Sequence, residues 1–239
     1  MLTSLLVELK KLKGSLVLVL CLAAPSLVAG LLLLILLKRP NLDWSEVIEG
    51  ATGLWSFFML PMTVAALSAL LAQIEHGPRA WDHMLALPVR RWRLFAAKGV
   101  VLMLLVAVMS LLLAIEIPAV IALLQKFAPS RAPAGPFPWA READLLARMW
   151  GASLFMGMVQ LWVALRFRSF VVPLTLGLGG TFIAVAASGA REGVYLPWLM
   201  PLNVMAGPTA NHALALNLGL AGGAVTFVLM LLHLSRREA

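Results

Sequence analysis

Charge is scarce in this sequence. Only 13% of its 239 residues are Asp, Glu, Lys or Arg, while 62% are hydrophobic; a soluble domain carries about 25% and 45–50%. A water-soluble fold of this length cannot bury so much apolar side chain, and the excess would aggregate. Cysteine is nearly absent as well. The single Cys21 excludes an intrachain disulfide and a cysteine metal site, and its apolar surroundings make it a small buried hydrophobe. Catalytic signatures are missing too. No G-x-x-x-x-G-K-[ST] loop is present to cradle nucleotide phosphates, and there is no H-E-x-x-H or G-x-S-x-G. His76, His83, His212 and His233 are scattered, and no metal site is expected. No repeat of 20–50 residues is evident.

What the sequence has is long apolar runs, with a mean hydropathy of +0.93. The expected class is an all-α integral membrane protein, a single domain over 1–239. Residues 1–13 read as an amphipathic interfacial helix, with Leu2, Leu5, Leu6, Leu9 and Leu12 on one face and Ser4, Glu8 and Lys11 on the other. Six helical spans follow, at about 15–37, 51–73, 99–124, 145–165, 170–187 and 213–234. The first is too long for the apolar core of a cleaved signal peptide and reads as a retained span. Pro118 is expected to kink the far end of the third. Prolines at 129, 133, 136 and 138 make 125–144 an extended outer loop. The proline-broken apolar stretch 188–212 reads as a re-entrant or interfacial hairpin before the sixth span, with Tyr195 and Trp198 at headgroup level.

The formal charge of +8 reflects topology rather than nucleic-acid binding. With the N-terminus inside, the inner segments hold twelve basic residues and the outer loops six. That asymmetry places both termini in the cytoplasm, with the protein multi-pass in the inner (plasma) membrane.

The most informative segment is the inner loop between spans two and three, residues 75–98. It is too polar for lipid and, with Trp81, Met84, Leu85, Leu87, Trp92, Leu94 and Phe95, too apolar for a plain solvated loop. It reads as two short amphipathic helices, about 79–87 and 89–98, broken at Pro88, which disfavours helix at Leu87. Trp81 and Leu85 share a face, as do Trp92 and Phe95. On physical grounds such a knob either docks a soluble partner or lies on the membrane surface.

Glu75, the turn Leu87-Pro88-Val89-Arg90-Arg91 and Lys98 resemble the equivalent loop of the ABC-2 type permeases, the membrane subunits of certain ATP-binding-cassette exporters. Arg90 stands where that family has a small residue. Glu8 and Lys11 resemble the family's opening segment, and the chain's length resembles that of small permeases exporting bacteriocins or lantibiotics. The resemblance implies that Glu75, Arg79, Trp81, Asp82, Leu85, Leu87, Pro88, Arg90, Arg91, Trp92 and Lys98 form a coupling helix gripped by cytoplasmic ABC ATPase subunits, with the N-terminal helix bracing the same interface. ATP and Mg would sit on that partner, this chain being non-catalytic and binding no cofactor of its own. A second permease subunit, identical or different, would complete a pathway for an amphipathic peptide or lipid-like substrate.

Within the spans, Glu116 is the only acid in an apolar run, and an intramembrane carboxylate is a functional candidate. Counted from Lys98 it falls about 27 Å along a helix, near the outer interface. Glu116, Gln160 and Asn217 are the candidate pathway or gate residues, although Gln and Asn in spans commonly serve as interhelical hydrogen-bonders. Ser153/Gly157, Gly180/Ala184 and Gly219/Gly223, spaced by four, give weak support for a dimer interface. The alternatives are a secondary transporter, which would want matched broken helices; an intramembrane enzyme, which the missing constellations disfavour; and a membrane anchor or scaffold for a cytoplasmic protein.

Overall fold

The computed structural model describes residues 2–39, 42–76, 90–206 and 208–236, and among these it is helical without strands. The helices are α1 (Leu2–Lys11), α2 (Leu16–Lys38), α3 (Trp44–Leu54), α4 (Leu60–His76), α5 (Arg91–Phe127), α6 (Trp139–Arg166), α7 (Val171–Ala187), α8 (Met200–Asn203) and α9 (Thr209–Ser235). Helix is the structure that lets a chain satisfy its own backbone in lipid.

Gly14 takes φ 77°, a left-handed conformation that swings α1 off the axis of α2. Asp43 and Glu46 form a reciprocal capping box that starts α3. A five-residue π-helical turn, Trp55–Met59, joins α3 to α4. It lies just before Pro61, whose ring would clash with a regular turn's carbonyl four residues back. Pro118 sits inside α5 without ending it.

Among the described residues, four helical segments are long and apolar enough to cross a membrane: α2, the joined α3–α4, α5 and α9. The chain is therefore a multi-pass membrane protein. Helix α7 is apolar but has only 17 residues, roughly 25 Å of rise. Helix α6 has 28 residues but is more polar. It packs on α4, α5, α7, α8 and α9, which bury its Glu142, Ser153 and Gln160, while Arg141, Asp144 and Arg148 in its first turns are exposed.

The expected first span is α2 almost residue for residue. The second and third extend beyond expectation, to 44–76 and 91–127. The stretch from 188 folds as a 3₁₀ turn (Arg191–Tyr195) and α8, with Val194, Leu199, Met200 and Val204 buried. Tyr195 is exposed, but Trp198 is seated on Gly180 of α7, where a Cβ would come within 2.4 Å of the indole.

The glycine pairs are used within the chain. A Cβ at Gly219 would fall 2.5 Å from the Cα and 2.6 Å from the carbonyl oxygen of Ala152, and one at Gly223 would meet Leu154. These residues let α9 ride on α6, the most extensive helix contact in the chain. Their spacing therefore reports an intrachain contact and not a dimer interface. Backbone cannot yield as a side-chain tip can, so Gly219→Ala is expected to lower stability by about 1–3 kcal/mol. At Gly179 nothing lies within 4 Å, and Gly179→Ala should be neutral or slightly stabilising. Unfolding midpoints of the two variants in one detergent check the pair; equal midpoints would contradict the close approach.

Candidate functional site

Four charged side chains from three separate helices meet where α1, the end of α4 and the start of α5 come together. Lys98 Nζ lies 2.7 Å from Glu8 Oε2 and 2.5 Å from Glu75 Oε2. Lys11 Nζ lies 2.6 Å from Glu8 Oε1 and 3.0 Å from Glu75 Oε1. Each ammonium thus bridges both carboxylates, and each carboxylate uses one oxygen per lysine. Lys98 is fully buried and Glu75 is 1% exposed. The Leu71 carbonyl, 3.4 Å away, is a further acceptor for Lys98.

The local sequence explains how the cluster forms. Glu8 and Lys11 are three apart on α1 and share a face. Glu75 closes the second span and Lys98 stands one turn before the third becomes wholly apolar. Two positive and two negative charges make a set without net charge, the condition under which ionised groups can be buried. Burial alone would raise the Glu8 carboxyl. The charge of Lys98 and hydrogen bonds from Lys11 and Lys98 outweigh it and hold Glu8 below its ordinary value. Burial likewise opposes the charge on Lys11, but the Glu8 hydrogen bond and the Glu75 charge hold its ammonium above the usual lysine range. A depressed acid loses its contribution only as pH falls below about 4.5, and a raised base only above about 10.5. Glu8 and Lys11 are therefore both charged across the neutral range.

This arrangement agrees with the interfacial helix expected for α1, with apolar side chains left facing away from the protein. Glu8 is buried and Leu6, Val7 and Leu9 are exposed. Glu8 and Lys11 meet protein while Leu6, Val7 and Leu9 face outward, the sense suited to a helix lying against lipid; Leu5 and Leu12 pack on the core.

Of the residues assigned to the loop, Arg79, Trp81, Asp82, Leu85, Leu87 and Pro88 lie outside the described residues, as does the helix expected over 79–87. Arg90 is the exposed residue preceding α5. The helix expected over 89–98 is the first turns of α5 itself, continuous with the span. Trp92 is 37% exposed, with the Arg93 guanidinium 5.6 Å from its ring, whereas Phe95 is buried in the core. These two aromatics therefore part company. Arg91, the residue before Trp92, is in the first turn and half-exposed.

The three pathway candidates do not converge. Glu116 accepts from Ser26 Oγ at 2.7 Å, at the α2–α5 contact. Ser26 is halfway along α2, so Glu116 stands at mid-length of that apolar helix and not near its outer end. The count from Lys98 misplaced it because α5, at 37 residues, is roughly 55 Å long and overhangs a bilayer core of ~30 Å. Gln160 is buried and donates to the Pro173 carbonyl, tying α6 to α7. Asn217 is on the exposed face of α9.

One buried acid escaped the sequence reading. Glu142, in the first turn of α6, is 1% exposed, and among the described residues neither carboxyl oxygen has a hydrogen-bond partner. Burial pushes it up from 4.5 to about 7. The signal was its register: Glu142, Leu146 and Met149 follow one helical stripe, all buried.

A family model described as ABC-2 family transporter protein matches residues 4–184, which include α1, the charged cluster and the helices through most of α7. No curated protein matches the chain.

Proposed function

The chain belongs to the ABC-2 family of transporter proteins, and on that premise we propose that it is the non-catalytic permease subunit of an ATP-binding-cassette exporter, driven by separate cytoplasmic ATPase subunits. ATP and Mg bind those partners. The observation that carries the reading is the charged cluster. In sequence, residues 77–89 connect α4, which ends one residue after Glu75, to the start of α5, which carries Lys98. Salt bridges bind Glu75 and Lys98 to each other and to α1. A push on the intervening loop is therefore delivered to α4, α5 and α1 together, because separating any of them exposes a buried charge at a cost of several kcal/mol. That is what a coupling element requires: a stiff base under a docking loop.

On this reading the loop and both termini face the cytoplasm and the protein sits in the inner membrane. Helices α6 and α7 complete six crossings, shielded by α4 and α9. The second permease subunit packs along α7, which exposes Phe182 and Ile183 and borders an apolar groove of about 510 Å³ beside Trp198. The substrate is amphipathic or lipid-like, of the antimicrobial-peptide kind.

The test uses the full chain co-expressed with a candidate ABC ATPase subunit. Trp81→Ala and Arg91→Ala should reduce co-purification or uncouple ATP hydrolysis from transport, with the permease itself still monodisperse. Unchanged assembly and transport in both would remove the loop from this role, and the same result together with no ATPase partner would leave a scaffold.

A further inference from the structure

We propose that Glu116 and Ser26 form a recognition site, open sideways to the membrane, for an amphiphilic amine. Three observations carry it. First, Glu116 is the only carboxyl in the apolar part of α5, and its partner Ser26 is at mid-length of α2; these are the two most apolar spans in the chain. An acid here is costly and needs a reason.

Second, among the described residues Oε2 of that acid has no partner in either protonation state. Oε1 accepts from Ser26 Oγ, while Oε2 is buried and has no partner among the described residues. A carboxylate has about four acceptor positions and no counter-charge here. A carboxylic acid could donate from Oε1 to Ser26 Oγ, but Oε2 would still accept from nothing. What the site lacks as an anion is a positively charged donor.

Third, the site can be reached, from the side of Ser26 and Oε1 and not at the buried Oε2. Glu142 is an equally unpartnered acid, but it is sealed inside the bundle. Glu116 is half-buried, and the Ser26 that holds it is exposed, flanked by exposed Leu22, Leu27 and Ile115. The opening is lined by aliphatic side chains, so an occupant arrives with an apolar tail in lipid and an ammonium at the carboxylate. A primary or protonated amine supplies both the charge and the N–H donors. A fatty acid of equal length supplies neither.

That the amine is cargo rests on the exporter reading; that it binds does not. The binding test accordingly uses the full-length permease alone, reconstituted in phosphatidylcholine vesicles. The probe is a dansyl-labelled long-chain primary amine, read by energy transfer from the protein's tryptophans, with a dansyl fatty acid of the same length as reference. Saturable amine binding is expected, weakened about 10-fold or more in Glu116→Gln, the loss typical of a charge-assisted hydrogen bond. Ser26→Ala should weaken it less, and Glu116→Asp, which keeps the charge, should retain most of it. Monodispersity of each variant and its ability to bind the ATPase report folding separately. Amine binding no better than the fatty acid's, or equal affinity in wild type and Glu116→Gln, overturns the site. Amine binding by a permease that engages no ATPase upholds the site and removes the exporter reading instead.

Discussion

Lys98→Met is expected to destabilise the protein by about 3–5 kcal/mol, the loss seen when one partner of a buried ion pair is removed. Lys98 is fully buried between Glu8 and Glu75. Methionine of similar reach leaves two carboxylates sharing the single ammonium of Lys11, a net charge of minus one in a buried place. The sharper expectation concerns the double variant. Glu75→Gln on its own leaves an excess ammonium and also destabilises. Combined with Lys98→Met it leaves Glu8 and Lys11 as a balanced pair. Glu75→Gln/Lys98→Met should therefore be more stable than Lys98→Met alone, a non-additivity diagnostic of direct coupling. Unfolding of the four proteins in one mild detergent, titrated with a denaturing one, measures the cycle. A double variant as unstable as the sum of the singles would show that the four groups do not act as a unit.

Stability should fall with rising pH through Glu142, and Glu142→Gln should abolish that fall. The folded acid titrates at about 7 and the free side chain at 4.5. A raised acid is at its best when protonated in both states. Its contribution is full below pH 4.5, declines as the unfolded chain ionises first, and is gone above about pH 7. The span is worth roughly 3 kcal/mol. The cause is local: Glu142 has neither a hydrogen bond nor a counter-ion to hold its charge. Its neighbours Arg141 and Asp144 are engaged elsewhere, with Glu49 at 2.6 Å and Arg148 at 2.9 Å. Glutamine keeps the volume without the charge, so at pH 8 the variant should be the more stable protein and at pH 5 nearly its equal. Parallel pH profiles for the two would refute the assignment.

The long spans were legible because lipid demands an unbroken apolar surface. α2 has no charged residue before Lys38, and α5 has one between Lys98 and Lys126. Helix α6 was placed from a weaker run, since a helix enclosed by others has no such demand upon it. The charged cluster was half legible. Glu75 and Lys98 stood out through their motif, but periodicity showed only that α1 has two faces. In water the apolar face turns to the core. Beside a bilayer the lipid can take the apolar face and the core the polar one, and Glu8 and Lys11 follow the second rule. Glycine spacing similarly marks a close approach without saying to what, and Gly219 meets Ala152 of its own chain. Glu142 was passed over because a single acid near an outer loop looks solvated; only its register with Leu146 and Met149 told otherwise.

The salt-bridged cluster also sets an order on biosynthesis. Glu8 and Lys11 leave the ribosome early, yet Lys11 must await Glu75, 64 residues later, and Glu8 must await Lys98, 90 residues later. At about 5–20 residues per second, that is a delay of roughly 5–20 s. During it the first helix has no protein partner, and its two lysines and exposed leucines suit it to wait among the lipid headgroups. The amino-terminal helix is thus made first and docked late, and a nascent chain halted before residue 98 would carry it undocked.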